Sequence, residues 1–250
     1  MQRSHARIYD QIGRGYVGRR RPDPRIAAQI TNALGDAQRI CNVGAGTGSY
    51  EPDDLAVVAV EPSHTMIRQR RGGTVVRARA EALPFADRSF DAVMAILTVH
   101  HWEDARGGLA ELRRIAPRRV VFTFDPERQI DFWLVRDYLP EIDALERERA
   151  QTIASLIDGL GGARVEVVPV PWDCSDGFQA AYWRRPERYL DPVVRASIST
   201  LAMLPRATVE NAVERLRADL ASGVFWQRHA DLAGRSEMDY GYRLLISDAA

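Results

Sequence analysis

The 250-residue chain contains no lysine; all 34 of its basic side chains are arginine. That absence excludes Schiff-base chemistry, pyridoxal-phosphate anchoring and the phosphate-cradling lysine of a P-loop. Neither sign of charge is in excess, because 34 acidic residues balance the 34 basic ones. A chain of zero formal charge has no global attraction to nucleic acid or to an anionic membrane, and a run such as Arg19-Arg20-Arg21 reads as a solvated cluster. Long apolar runs are missing too: the longest, around residues 55–60 and 92–97, fall far below the roughly 20 residues of a membrane span. The first ten residues are polar, so the expectation is a cytoplasmic protein without a leader or membrane partner. Cysteine is scarce. Cys41 and Cys174 belong to no CxxC and no Cys/His cluster, so no disulfide framework and no metal site is expected, only reduced, packed thiols.

Repeats, low-complexity segments and Gly/Ser/Pro-rich linkers are also absent, which leaves the alternation of strand and helix patterns to define the fold. Asp23 and Pro24 suit a helix start, Ile26, Ile30, Ala33 and Leu34 recur at helical spacing, and Gly35 supplies a stop. Short β-rich runs follow at 39–43, 57–60, 74–78, 90–97 and 118–124, with a helical pattern over 103–116. Apolar strands alternating with helices predict a doubly wound α/β fold, its parallel sheet covered on both faces. In the second half, 128–138 and 149–160 read as helices, 164–170 as a sixth strand and 240–247 as the last. About seventy residues separate those two strands, mostly helical in pattern: Asp191-Pro192 opens a helix with Val194, Ile198 and Leu201 on one face, and Val209, Val213, Leu216 and Leu220 line another that ends at Gly223. Insertions of this length are usually functional.

The most informative stretch is Asn-Val-Gly-Ala-Gly-Thr-Gly-Ser-Tyr, residues 42–50, directly after the first strand. Gly44, Gly46 and Gly48, interleaved with Ala45 and Thr47, let the backbone turn tightly and approach a ligand closely. Glu61 closes the second strand, seventeen residues after Gly44, where an acid is placed to accept hydrogen bonds from ribose hydroxyls. Together they predict an adenosine-containing ligand. The loop is GxGxG rather than the GxGxxG of a dinucleotide site, which disfavours a nicotinamide dehydrogenase.

With this loop, the strings EPSHTM (61–66), AEALPFADRSFDAV (80–93), LTVHHW (97–102) and ELRRIAPRRVVFT (111–123) resemble, in order and position, the class I S-adenosylmethionine-dependent methyltransferases of the type 11 domain group. The resemblance covers roughly residues 9–125. It implies a seven-stranded, mostly parallel Rossmann-like sheet with an antiparallel last strand, and a helical insertion between strands six and seven. The cofactor-binding core would comprise 1–170 with 239–250, including an N-terminal helical cap, and the insertion 171–238 would form part of the substrate pocket. S-adenosyl-L-methionine is the implied cofactor: Gly44 to Gly48 would carry its methionine part, Glu61 its ribose, and Pro62 with Met66 would flank the adenine. Ala80, Glu81 and Ala82 would border the adenine edge, with Leu97 and Thr98 beside the cofactor. Tyr16 and Arg20, together with Tyr9, resemble residues that close over the site, an arginine pairing with the cofactor's carboxylate.

Three departures from the pattern stand out. Asn42 replaces the usual aspartate, so a weaker amide interaction is expected to order the loop. Arg79 occupies a position where an aspartate often meets the adenine amino group, leaving that contact to the backbone or to Glu81. Only residues 49–56 separate Gly48 from the second strand, and Pro52 interrupts them, so the usual helix there is expected to be missing or reduced to about one turn, with the N-terminal helix or the late insertion covering the sheet instead.

Methyl transfer from a sulfonium is an in-line displacement that requires positioning and, where needed, proton removal. His100 and His101 are the candidate bases, since they follow the fourth strand at the ligand-binding edge of the sheet. Each suits a packing role on Trp102 or a backbone hydrogen bond equally well. Asp125 ends the fifth strand on the same edge, either as a substrate contact or as a turn residue before Pro126. Trp172, Phe178, Tyr182 and Trp183 are candidates, with Trp102 and Tyr9, to line an acceptor pocket, and equally to form the insertion's own core. Arg184 and Arg185 nearby suggest a planar or apolar small molecule carrying an acidic group. The expected activity is methylation of an oxygen, nitrogen or carbon atom of a small-molecule acceptor by a monomer or homodimer. The alternatives are a non-catalytic S-adenosylmethionine-binding regulator or scaffold, and a nucleic-acid or protein methyltransferase. Balanced charge and the lack of an Asn-Pro-Pro-Tyr motif argue against nucleic acid.

Overall fold

The computed structural model describes residues 21–249. The Asp23 carboxylate accepts the N–H of Arg25 and opens helix α1 (Pro24–Leu34), which Gly35 ends at φ 62°. Ile26, Ile30, Ala33 and Leu34 share one face of α1 and are buried against the sheet.

That sheet has seven strands. Strands β1 (Arg39–Val43), β2 (Ala56–Val60), β3 (Thr74–Val76), β4 (Ala92–Ile96) and β5 (Arg118–Phe124) run parallel. A short ribbon, β7 (Val170–Pro171) with β8 (Glu237–Met238), follows β6 (Arg164–Val167), and β9 (Tyr242–Asp248) runs antiparallel to both β5 and β6. The order across the sheet is β3-β2-β1-β4-β5-β9-β6. This is the doubly wound, mostly parallel arrangement with an antiparallel last strand that the sequence leads one to expect. Strand order reverses between β1 and β4, which opens a crevice beyond their carboxyl ends.

Helix α2 (Ala105–Ile115) covers one face, packing Leu109, Leu112 and Ile115 with Cys41, Val93, Val121 and Leu245. On the other face, Ile30 and Leu34 of α1 share one core with Phe122, Trp133, Trp183, Tyr189 and Phe225. The expected absence of a helix after the glycine loop is observed, and Tyr50 takes its place. Its ring meets Phe122 edge-on at 6.2 Å, and its hydroxyl donates to Asp176 Oδ2 at 2.9 Å. One residue of the shortened segment thereby ties the sheet to the insertion. No helix among the described residues is long and apolar enough to cross a membrane.

Several elements depart from the periodicity reading. The helix expected over 128–138 is a 3₁₀ segment at Pro126–Asp131 and a π turn at Leu134–Tyr138, with Phe132 extended between them. Phe132, Trp133, Leu134 and Val135 are all buried. A regular helix would point four consecutive side chains around its whole circumference, whereas the broken backbone buries all four. The helix expected over 149–160 is two, α3 (Glu141–Arg149) and α4 (Ile153–Gly159), because Thr152 caps the second by accepting the N–H of Ser155. The sixth strand ends at Val167 rather than 170, and Val170 pairs with Met238 instead. In the insertion, Ser197 donates to the Val194 carbonyl and divides the helix expected from Asp191 into one turn at Pro192–Arg195 and α5 (Ser199–Met203). Helix α6 (Arg206–Ser222) ends at Gly223, as expected.

Candidate active site

A cleft with about 1100 Å³ of open space lies beyond the carboxyl ends of β1, β2 and β4. The glycine loop forms its floor. The N–H groups of Gly44 and Ala45 donate to the Val60 carbonyl at 2.9 and 3.0 Å, which staples the loop to the end of β2. Glu61 is buried there, accepting from Gly46 N–H through Oε2 and from Ser63 N–H through Oε1, both at 2.8 Å. One carboxylate therefore joins the loop to the turn after β2. Gly44, at φ 70°, has no room for a side chain beside Thr98.

Asn42 changes the expectation of a weakly ordered loop. Its Nδ2 donates to Glu51 Oε1 at 2.8 Å, and Glu51 Oε2 is held by Arg70 Nη2 at 2.6 Å. The carboxylate that Asn42 lacks is thus supplied by Glu51 and anchored by a guanidinium that is itself buried. No local motif announces Glu51 or Arg70; the contact exists because the missing helix lets the chain double back over the loop. Asn42 is among the residues lining the cleft, and its Oδ1 is buried without a hydrogen-bond partner.

Among the residues expected to bind the cofactor, Gly44, Ala45, Gly46 and Thr47 line this cleft, as do Glu61, Pro62 and Met66, and then Ala80, Glu81, Leu97 and Thr98. Gly48 and Ala82 do not; Ala82 instead bridges back to Arg79. Tyr9, Tyr16 and Arg20 lie outside the described residues. At the far rim, Arg79 pairs with Glu103, and Glu81 Oε1 accepts the N–H groups of Glu103 and Asp104 at 2.9 and 3.1 Å. Trp102 lies on this rim as well, in the first cleft rather than in a separate acceptor pocket.

A second, smaller cavity adjoins the first, and Leu97 and His101 line both. Leu97 holds a left-handed φ of 50°, and its N–H donates to the Phe122 carbonyl at 2.7 Å, a strained position of the kind that clusters at functional sites. The 3₁₀ turn Val99–His101 follows. His100 packs edge-on to Phe124 at 5.0 Å and lies 3.9 Å from the ring of His101. Arg149 Nη2 is 3.2 Å from His101 Nδ1. A guanidinium only donates, so Nδ1 accepts and the His101 proton resides on Nε2. His101 is thereby set up as a hydrogen-bond donor, while His100 stands beside it on the wall of the second space.

The insertion closes the second cavity with Phe178, Gln179 and residues 197–200. The other aromatic candidates lie elsewhere. Trp183 is fully buried and donates to the Val170 carbonyl at 3.0 Å, Tyr182 is buried near it, and Trp172 is 42% exposed beneath Arg184. Asp125 caps the 126–131 segment by accepting the N–H of Glu127 and lines neither space. Arg185 Nη2 donates to the carbonyls of Cys174 and Ala181, and Arg184 to that of Arg235, so neither arginine reaches the cavity as an anion site. Glu146, Gln129 and Thr200, none of them evident from sequence, line it instead.

A family model described as "Methyltransferase domain" matches residues 41–123, from β1 through nearly all of β5. A demethylmenaquinone methyltransferase from Thermobifida fusca is 32% identical over 172 residues, 56% of this chain and 72% of that protein. A second, from Renibacterium salmoninarum, is 34% identical over 107 residues, 40% of this chain and 45% of that protein, so the match spans less than half of its length. The crystal structure of a putative methyltransferase from an antibiotic biosynthesis pathway of Anabaena variabilis superposes with a TM-score of 0.84 at 35% identity, covering 91% of this chain and 98% of that one. Agreement at this level of identity over nearly a whole relative establishes kinship: the chain belongs to the class I methyltransferases.

Proposed function

We propose that the protein transfers a methyl group from S-adenosylmethionine to an oxygen, nitrogen or carbon atom of a small-molecule acceptor. The observation that carries this reading is the junction of two spaces at Leu97 and His101, a glycine-loop cleft on one side and a smaller pocket on the other. The first cleft fits the cofactor on its own chemistry. The unpartnered, buried Asn42 Oδ1 is an acceptor for an ammonium group, Glu61 stands at the ribose position, and Pro62 and Met66 offer apolar surface to the adenine. When bound, S-adenosylmethionine supplies an electrophilic methyl group on a sulfonium.

The chain's own contribution is positioning. The second pocket, closed by residues 178–179 and 197–200 of the insertion, holds the acceptor. His101 donates from Nε2 and orients it. Where methylation of oxygen or nitrogen releases a proton, His100 takes it. Both cysteines are buried thiols, which suits the reducing cytoplasm. Calorimetry with S-adenosylmethionine and its demethylated product tests the reading: a Kd in the micromolar range is expected, and no binding overturns it.

A further inference from the structure

The second cavity contains an arrangement that the methyl-transfer reading does not use. Glu146 lines it from α3 and is 2% exposed. Thr200 Oγ1 donates to Glu146 Oε1 at 2.5 Å, while Oε2 has no hydrogen-bond partner and lies 3.5 Å from Arg149 Nε. Both neighbours favour the carboxylate, since one offers a proton and the other a positive charge; burial opposes it by pushing the carboxyl above its usual range. A buried carboxylate oxygen without a donor is costly unless something completes it. Among the described lining residues Glu146 is the one side chain of formal charge, and no arginine lines the cavity. The remaining surface is aromatic and aliphatic, from Phe124, Phe178, Tyr242 and Ile198, together with neutral polar groups. Gln179 Nε2 already donates to Gln129 Oε1 at 2.7 Å, so these two amides largely satisfy one another.

We infer that this cavity selects an acceptor with an apolar body and a hydroxyl or amino group, whose O–H or N–H donates to Glu146 Oε2, and that it rejects an acceptor with an anionic group at that end. Glu146 is a specificity residue. The inference rests on the second cavity being the acceptor site, and it replaces the acidic acceptor suggested by Arg184 and Arg185.

Four probes of similar shape test it on the full chain without cofactor: benzyl alcohol, benzylamine, benzoate and toluene, each titrated by ligand-observed NMR. The alcohol and the amine are expected to bind at least tenfold more tightly than benzoate and toluene. Glu146→Gln, which preserves shape, should keep the alcohol and lose the advantage of the amine; Glu146→Leu should level all four. Benzoate binding as tightly as the alcohol, no binding by any probe, or an unchanged ranking in the Gln variant overturns the inference. Because the titrations omit cofactor, a wrong ranking alongside intact S-adenosylmethionine binding counts against this inference alone. The correct ranking without cofactor binding counts against the methyl-transfer reading.

Discussion

Replacing Gly44 by alanine tests how the loop is held against the fourth strand. An added Cβ overlaps Thr98 Oγ1 and lies 2.8 Å from Thr98 Cβ and 2.9 Å from its Cγ2. Rotating the threonine moves Oγ1 and Cγ2 but leaves Cβ in place, so no rotamer relieves the overlap and the backbone has to shift. That shift pulls on the two N–H groups bonded to Val60. The left-handed φ costs about 1–2 kcal/mol for alanine, and overpacking adds about 1–3 kcal/mol. Gly44→Ala alone should therefore lose about 2–5 kcal/mol and abolish cofactor binding. Thr98→Gly removes all three offending atoms, so the double variant Gly44→Ala/Thr98→Gly should keep only the backbone cost of the alanine. Urea denaturation of the four proteins then yields a favourable coupling of about 1–3 kcal/mol between the two sites. If the single-variant costs simply add to within about 0.5 kcal/mol, the contact does not limit the loop and the reasoning fails.

Glu61→Ala removes the acceptor of two buried N–H groups and the proposed ribose contact; charged hydrogen bonds of about 1.5–3 kcal/mol each imply S-adenosylmethionine binding weakened by about a hundredfold, measured by calorimetry. Asp23→Ala should cost about 3 kcal/mol at pH 7, from the lost cap and charged hydrogen bonds. Burial alone would raise the Asp23 carboxyl, but hydrogen bonds from Arg25 and the Ser175 N–H hold it below its ordinary value. Its contribution is therefore fully present above the ordinary carboxylate range and lost as pH falls below that range through the lowered native value, so the stability gap between wild type and variant should narrow steadily in denaturant titrations on acidification. Burial pushes the thiols of Cys41 and Cys174 up to about 12; a disulfide reagent at pH 8 should label neither in the native protein and both in guanidinium.

Legibility in the sequence followed the range of the interactions. Strands β1 and β5 and helices α1, α2 and α6 carry their own periodicity, caps and stops, and they stand within a residue or two of where those signals put them. The 128–138 segment misled because adjacent Phe132 and Trp133 both serve the core, and burying neighbours in sequence defeats helical spacing. The cleft was legible through Gly44, Gly46 and Glu61, which lie at the carboxyl ends of two adjacent parallel strands whose geometry is local. Trp172, Tyr182 and Trp183 could not be sorted from Phe178 by sequence, because composition states that aromatics are present but not which way they face.

The sequence by itself determined a lysine-free, charge-balanced α/β chain, the glycine loop with its acid at the end of the next strand, and two histidines at the ligand edge. Tertiary structure alone decided what those parts became. It put Glu51 and Arg70 where Asn42 lacks a carboxylate, set Arg149 against His101 so that one imidazole donates, and carried Glu146 and Thr200 to the wall of the second cavity. The physical reason is separation along the chain: a strand or a tight turn is specified by neighbours a few residues apart, whereas these contacts join residues that meet only after the sheet has formed and the insertion has closed over it.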